Sequence, residues 1–79
     1  MPETLILYTR EECHLCQQAA RIATSVGARL ESVDITSDDG LFERYCVTIP
    51  VIRNDKQGRE INWPFGADDV LDLMGPEPA

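Results

Sequence analysis

Basic residues are scarce in this chain: 7 lysines and arginines stand against 14 aspartates and glutamates, for a formal net charge of -7. No basic run is long enough to neutralise a phosphate backbone, so nucleic acid is not an expected partner. Long apolar runs are missing as well. The stretch from Leu5 to Tyr8 stops at Thr9 and Arg10, far short of the roughly 20 residues that span a bilayer, and no membrane segment is expected. Met1 to Thr4 carries no basic residue ahead of that stretch, so it does not read as a secretory leader and the expected location is cytoplasmic. Cysteine is limited to 3 residues and histidine to 1. In a reducing compartment so few cysteines do not make a disulfide framework, which leaves catalysis, metal binding or simple burial to explain them. With 79 residues there are too few apolar side chains to fill two cores, so a single domain is expected, working as a monomer with little room for a second site.

What the sequence does contain is a folding pattern. A hydrophobic fraction of 43% with 27% charged residues is ordinary for a globular chain and too apolar for a disordered one. The uninterrupted Leu5-Ile6-Leu7-Tyr8 reads as a central strand covered on both faces. From His14 to Val26, Leu15, Ala19, Ile22 and Val26 recur at helical spacing while Cys16, Ala20 and Ala23 widen the apolar stripe, and Gly27 closes the helix. Leu30 to Ile35 is a second strand, more polar and nearer an edge, joined to the first by a right-handed crossover. Thr36 or Ser37 is expected to cap a short second helix, with Asp38 and Asp39 in its first turn and Leu41, Phe42 and Tyr45 facing inward. Pro50 to Arg53 and Arg59 to Trp63 should pair antiparallel around the turn residues Asn54, Asp55 and Gly58. Val70, Leu71, Leu73 and Met74 mark a last amphipathic helix ended by Gly75 and Pro76, with Pro78 and Ala79 frayed. The result is an α/β chain of order β-α-β-α-β-β-α.

The chemistry centres on Cys13-His14-Leu15-Cys16, where the first strand hands over to the first helix. A helix start presents unpaired N–H groups and the positive end of the dipole, both of which favour a thiolate at Cys13. Cys16, one turn along on nearly the same face, is within reach of a disulfide back to Cys13. It also lies on the apolar stripe and should be the more buried sulfur. Cys13 is therefore expected to attack a disulfide, and Cys16 to displace the substrate thiol from the mixed disulfide. Arg10 and a protonated His14 support the thiolate, whereas Glu11 and Glu12 oppose it.

Beyond the cysteine pair, Tyr8-Thr9-Arg10 is similar to a Tyr-Ser-Lys entry. Val33-Asp34-Ile35, Leu41, Arg44-Tyr45, Val47 and Thr48-Ile49-Pro50 are similar to a second strand, a second helix and a Thr-Val-Pro turn. With Cys13 and Cys16 these segments resemble the glutaredoxin and thioredoxin-like family over most of the chain. The resemblance implies a thioredoxin-like, glutaredoxin-type fold with a four-stranded mixed sheet. It also implies a cis Ile49–Pro50 peptide facing Cys13, with the Ile49 backbone open to an extended substrate. Gly66-Ala67-Asp68-Asp69 resembles the end of a glutathione-binding Gly-Gly-x-Asp segment, although Phe65 stands where the first glycine would be. Trp63-Pro64-Phe65 is similar to the Trp-Ser-Gly-Phe segment of glutaredoxin-like donors reduced by thioredoxin reductase. By resemblance, then, Tyr8, Arg10, His14, Thr48, Ile49, Pro50, Gly66 and Asp68 surround the substrate. Protein disulfides are the substrates, glutathione or thioredoxin reductase is the electron donor, and no cofactor is tightly bound.

Other readings stand beside this one. Cys-x-x-Cys can be half of a zinc site, but only His14 and Cys46 remain as further ligands, and His14 shares a turn with Cys13. The fold can also serve as a peptide-binding module without turnover, using the groove beside Pro50. Cys46 reads as a small buried hydrophobe. Trp63 and Phe65 either face the substrate or pack over the fourth strand. Arg10 is a site residue or a solvated arginine, and Asp68 a ligand-binding or a helix-capping carboxylate.

Overall fold

The computed structural model describes residues 4–75. The expectations for Met1, Pro76, Pro78 and Ala79 lie outside the described residues. The elements run β1 (Thr4–Thr9), α1 (His14–Ser25), β2 (Arg29–Asp34), a 3-10 turn (Ile35–Ser37), α2 (Asp39–Tyr45), β3 (Val51–Asn54), β4 (Arg59–Asn62) and α3 (Ala67–Met74). The four strands form one mixed sheet of order β2-β1-β3-β4. β1 pairs parallel with β2, while β1 with β3 and β3 with β4 are antiparallel. This is the α/β architecture that the sequence implied.

Period-2 alternation divides the core. Leu5 and Leu7 of β1 and Ile52 of β3 pack with Ala19 and Ala23 of α1 and Val70 and Leu73 of α3. Tyr8 and Val51, one residue out of step, pack with Ile35 and Tyr45. The interior strand β1 is thus covered on both faces, and each fully buried Leu or Val contributes roughly 1.5–3 kcal/mol. Small residues at 19 and 23 let α1 lie close to the sheet. That helix ends in a Schellman arrangement: Gly27 has φ 84°, its N–H donates to the Thr24 carbonyl at 3.1 Å, and the Ala28 N–H donates to the Ala23 carbonyl at 3.1 Å.

Several expectations are corrected. Leu15, placed on the buried stripe by spacing, is 42% exposed although Cys16 beside it is 3% exposed; Phe42 on α2 is 40% exposed. Neither Thr36 nor Ser37 caps α2. Both belong to the 3-10 turn, which Asp34 caps through Thr36, and Asp38 is the cap of α2, its carboxylate accepting the N–H of Gly40 at 2.8 Å and of Leu41 at 3.2 Å. Ile35 leaves the second strand to fill the core. Asn54, read as a turn residue, ends β3 and is buried to 1% exposure. Its side-chain amide donates to the Leu73 carbonyl at 2.9 Å, and its oxygen accepts the Lys56 N–H at 3.1 Å. Cys46 is half-buried against the Ile35–Tyr45–Val51 cluster, close to its expected role.

Candidate functional site

β1 ends at Thr9 and α1 begins at His14, and the four residues between them deliver Cys13 to the start of the helix that carries Cys16. Glu12 has φ 57°, a left-handed conformation that glycine adopts at no steric cost and other residues seldom do. Cys13 follows in an extended conformation as the N-cap of α1. Its carbonyl accepts the first helical bond, from the Gln17 N–H at 3.2 Å, and its sulfur accepts the N–H of Cys16 at 3.2 Å. The sulfur occupies the place of a capping oxygen and takes one of the first-turn amides that have no partner within the helix.

Cys13 and Cys16 are joined as a disulfide with Cα atoms 5.2 Å apart, within the range such a bond needs. Their environments differ. Cys13 is half-buried, while Cys16 is 3% exposed. A cleft of about 190 Å³ reaches both, lined by Leu7, Thr9, Arg10, Glu12, Gln17, Ala20 and Ser32 besides the two cysteines. Arg10 is exposed on its rim and acts at a distance on Asp34, at the end of β2. Hydrogen bonds from the Thr36 side chain and N–H are the main reason the Asp34 carboxyl ionises below its ordinary value; Arg10 adds to them and partial desolvation opposes them. Among the described residues, no three of His, Cys, Asp and Glu are grouped to hold a metal ion.

The remaining candidates fall in different places. His14 is exposed at the first position of α1. Tyr8 is not in the cleft: it stacks on Tyr45 with ring centroids 4.4 Å apart, in the core cluster on the opposite face of the sheet. Burial, and then its hydrogen bond to Glu60 at 2.9 Å, push the Tyr45 hydroxyl's ionisation up. Ile49–Pro50 is cis, as the resemblance implied, and Trp63–Pro64 is cis as well. Since Val51 pairs with Tyr8, Pro50 sits at the sheet end that carries Cys13. The Ile49 backbone is not wholly open to a substrate, however. Its N–H donates to the Tyr45 carbonyl at 3.0 Å, as do the N–H of Thr48 at 3.0 Å and the Thr48 hydroxyl at 3.3 Å.

Trp63 donates its N–H to the Pro50 carbonyl at 3.1 Å, which brings the start of α3 to the same end of the sheet. Phe65 is buried in the core beside α1 and α3 and meets Trp63 edge-to-face at 5.1 Å, so packing over the sheet is its observed role. Gly66 is the N-cap of α3, and its N–H donates to the Asp69 carboxylate at 2.9 Å. The capping carboxylate is therefore Asp69, while Asp68 is exposed in the first turn. Sequence reasoning missed Gln17 and Ser32 as cleft residues. Gln17 lies one turn beyond Cys13, and Ser32 shares a face of β2 with the core-packed Leu30, which is the signal that places it on the α1 side.

Two solved structures, both of the Northeast Structural Genomics target protein XcR50 from X. campestris, are similar to this chain. The X-ray structure is 37% identical with a TM-score of 0.81, covering 94% of this chain and 99% of that one. The solution structure is 36% identical with a TM-score of 0.80, covering 94% of this chain and 95% of that one. No curated protein matches. Residues 4–74 match the model of the glutaredoxin-like domain family (DUF836). With the thioredoxin-like arrangement of sheet and helices and the cysteine pair at the start of α1, the chain belongs to the glutaredoxin-like domain family.

Proposed function

We propose that this protein is a thiol–disulfide oxidoreductase in which Cys13 is the nucleophile and Cys16 the resolving thiol. The observation that carries this reading is the Cys16 N–H aimed at the Cys13 sulfur at the N-terminus of α1. That hydrogen bond and the helix dipole stabilise negative charge on Cys13 and do nothing comparable for Cys16. In the first step the Cys13 thiolate attacks a substrate disulfide, forming a mixed disulfide and expelling one substrate thiolate. In the second, the Cys16 sulfur attacks Cys13, expels the other substrate thiolate and closes the Cys13–Cys16 bond. The protein's two thiols lose two electrons and the substrate gains them. Burial of Cys16 keeps it from meeting substrates first, which sets the order of the steps.

Protein disulfides are the proposed substrates, with glutathione or thioredoxin reductase returning the electrons in the cytoplasm. The nearby Gly66 and Asp68 support glutathione, and the Trp63-Pro64-Phe65 segment supports the reductase. The test is a pair of variants assayed for disulfide reduction. Cys13→Ser should abolish turnover. Cys16→Ser should stop at a mixed disulfide, visible by mass as one substrate thiol added at Cys13. Equal residual activity in both variants would refute the assignment, and reduction of the wild type by one donor and not the other would identify the donor.

A further inference from the structure

We infer that the Glu12 carboxylate accepts the proton of the Cys16 thiol during the second displacement, across the solvent of the cleft that both residues line. The inference rests on the oxidoreductase reading and adds to it a residue that the cysteine pair alone does not require.

The problem it addresses is set by burial. Cys16 is 3% exposed, and it must lose its proton as it attacks the mixed disulfide. A thiol among apolar side chains is harder to ionise than one in water. Leu7 and Ala20, which line the base of the cleft, offer no acceptor. The cleft itself is the route out, since it reaches Cys16 and is wide enough, at about 190 Å³, to hold several waters of roughly 30 Å³ each.

Within that cleft the choice is narrow. From the loop after β1 come Arg10, Glu12 and Cys13; from α1 come Cys16, Gln17 and Ala20; from β1 come Leu7 and Thr9; from β2 comes Ser32. Glu12 is the one carboxylate among them and Arg10 the one cation. Arg10 carries no lone pair for a proton, and Cys13 is spent in the mixed disulfide. Glu12 is exposed, as are its neighbours Glu11 and His14, but of the three it alone lines the cleft, and Asp34 is engaged by Thr36 at the end of β2. Glu12 also holds a left-handed φ of 57°, so a carboxylate stands where glycine would be unstrained. In the balanced step, the Cys16 S–H bond breaks, its proton passes to Glu12, sulfur bonds to the Cys13 sulfur, and the substrate thiolate leaves with the electron pair of the old S–S bond.

The reaction of the reduced protein with an aromatic disulfide that releases a coloured thiolate separates the two displacements. The first equivalent released reports attack by Cys13 and the second reports attack by Cys16. Glu12→Gln and Glu12→Gly should slow the second release by roughly 100-fold near neutral pH, the lower end of what a positioned base supplies. The glycine variant keeps the left-handed backbone and removes only the carboxylate. The deficit should shrink as pH rises, because hydroxide then takes the proton that Glu12 would otherwise accept. The first release should not be slowed. An unchanged second release in both variants, equal slowing of both phases, or a deficit constant across pH each overturns the inference. A wild-type protein that releases no second equivalent defeats the oxidoreductase reading, and the inference with it.

Discussion

Replacing Asn54 by alanine should cost about 3 kcal/mol of stability without touching the cysteine pair. Asn54 closes β3, and its amide donates to the Leu73 carbonyl, one of the C-terminal carbonyls of α3 that have no partner within the helix. Its oxygen also receives the Lys56 N–H that begins the β3–β4 turn. Two such bonds contribute about 1 kcal/mol each, and leaving a buried carbonyl unpaired adds about 1 kcal/mol or more. At roughly 2.1 cal/mol/K per residue, the 79-residue chain has an unfolding entropy of about 0.17 kcal/mol/K, so Tm should fall by about 18 °C. Urea unfolding followed by the fluorescence of the single tryptophan, Trp63, measures the loss, with the slope m unchanged. Because β3 runs antiparallel to β1, Asn54 lies at the sheet end opposite Cys13, and both displacement steps should keep their rates below the melting range. A loss under 1 kcal/mol would show that the turn and α3 are held together by other means. A loss of redox activity in the folded variant would show that the two ends of the sheet are coupled.

Asp38→Ala should lower stability by about 1 kcal/mol in the same urea titration, because it removes the side chain that caps α2, whereas Asp38→Asn should be nearly neutral. Asp34 gives a pH-dependent effect. Its folded-state ionisation is shifted down, first by its hydrogen bonds to Thr36, so its contribution is present above the ordinary carboxylate pKa of about 3.9 and is lost as pH falls through the lower folded value. Asp34→Asn should therefore be less stable than wild type at pH 7, with the gap narrowing as pH falls below about 3.9; a gap that stays constant on acidification would contradict the assignment.

The sequence revealed the parts of the fold that local pattern controls. Four consecutive apolar residues marked β1, the Ala19–Ala23 spacing and Gly27 marked α1, and the strand-to-helix position of Cys13 marked the site. The misses share one cause, since each depends on where an element stops relative to its neighbours. Leu15 fits the apolar stripe of α1, yet no neighbouring element covers it and it is exposed. Asn54 has the composition of a turn, yet α3 returns over it and makes it interior. Asp38 and Ser37 are both good caps, and the 3-10 turn at Ile35–Ser37 decides between them by shifting the start of α2. The Ile49 amide is taken by the Tyr45 carbonyl because α2 ends directly ahead of it, which a motif match does not register. Ser32 joins the site only through the parallel pairing of β2 beside β1, a contact that local sequence pattern does not register.

Among the described residues, the sheet order leaves β2 and β4 with one unpaired backbone row each, the usual template for adding strands from other molecules. Arg29 and Glu31 stand exposed on one of these strands and Arg59 on the other, and a lateral neighbour would have to strip water from them. Such charges guard both edges of the sheet against aggregation by strand addition.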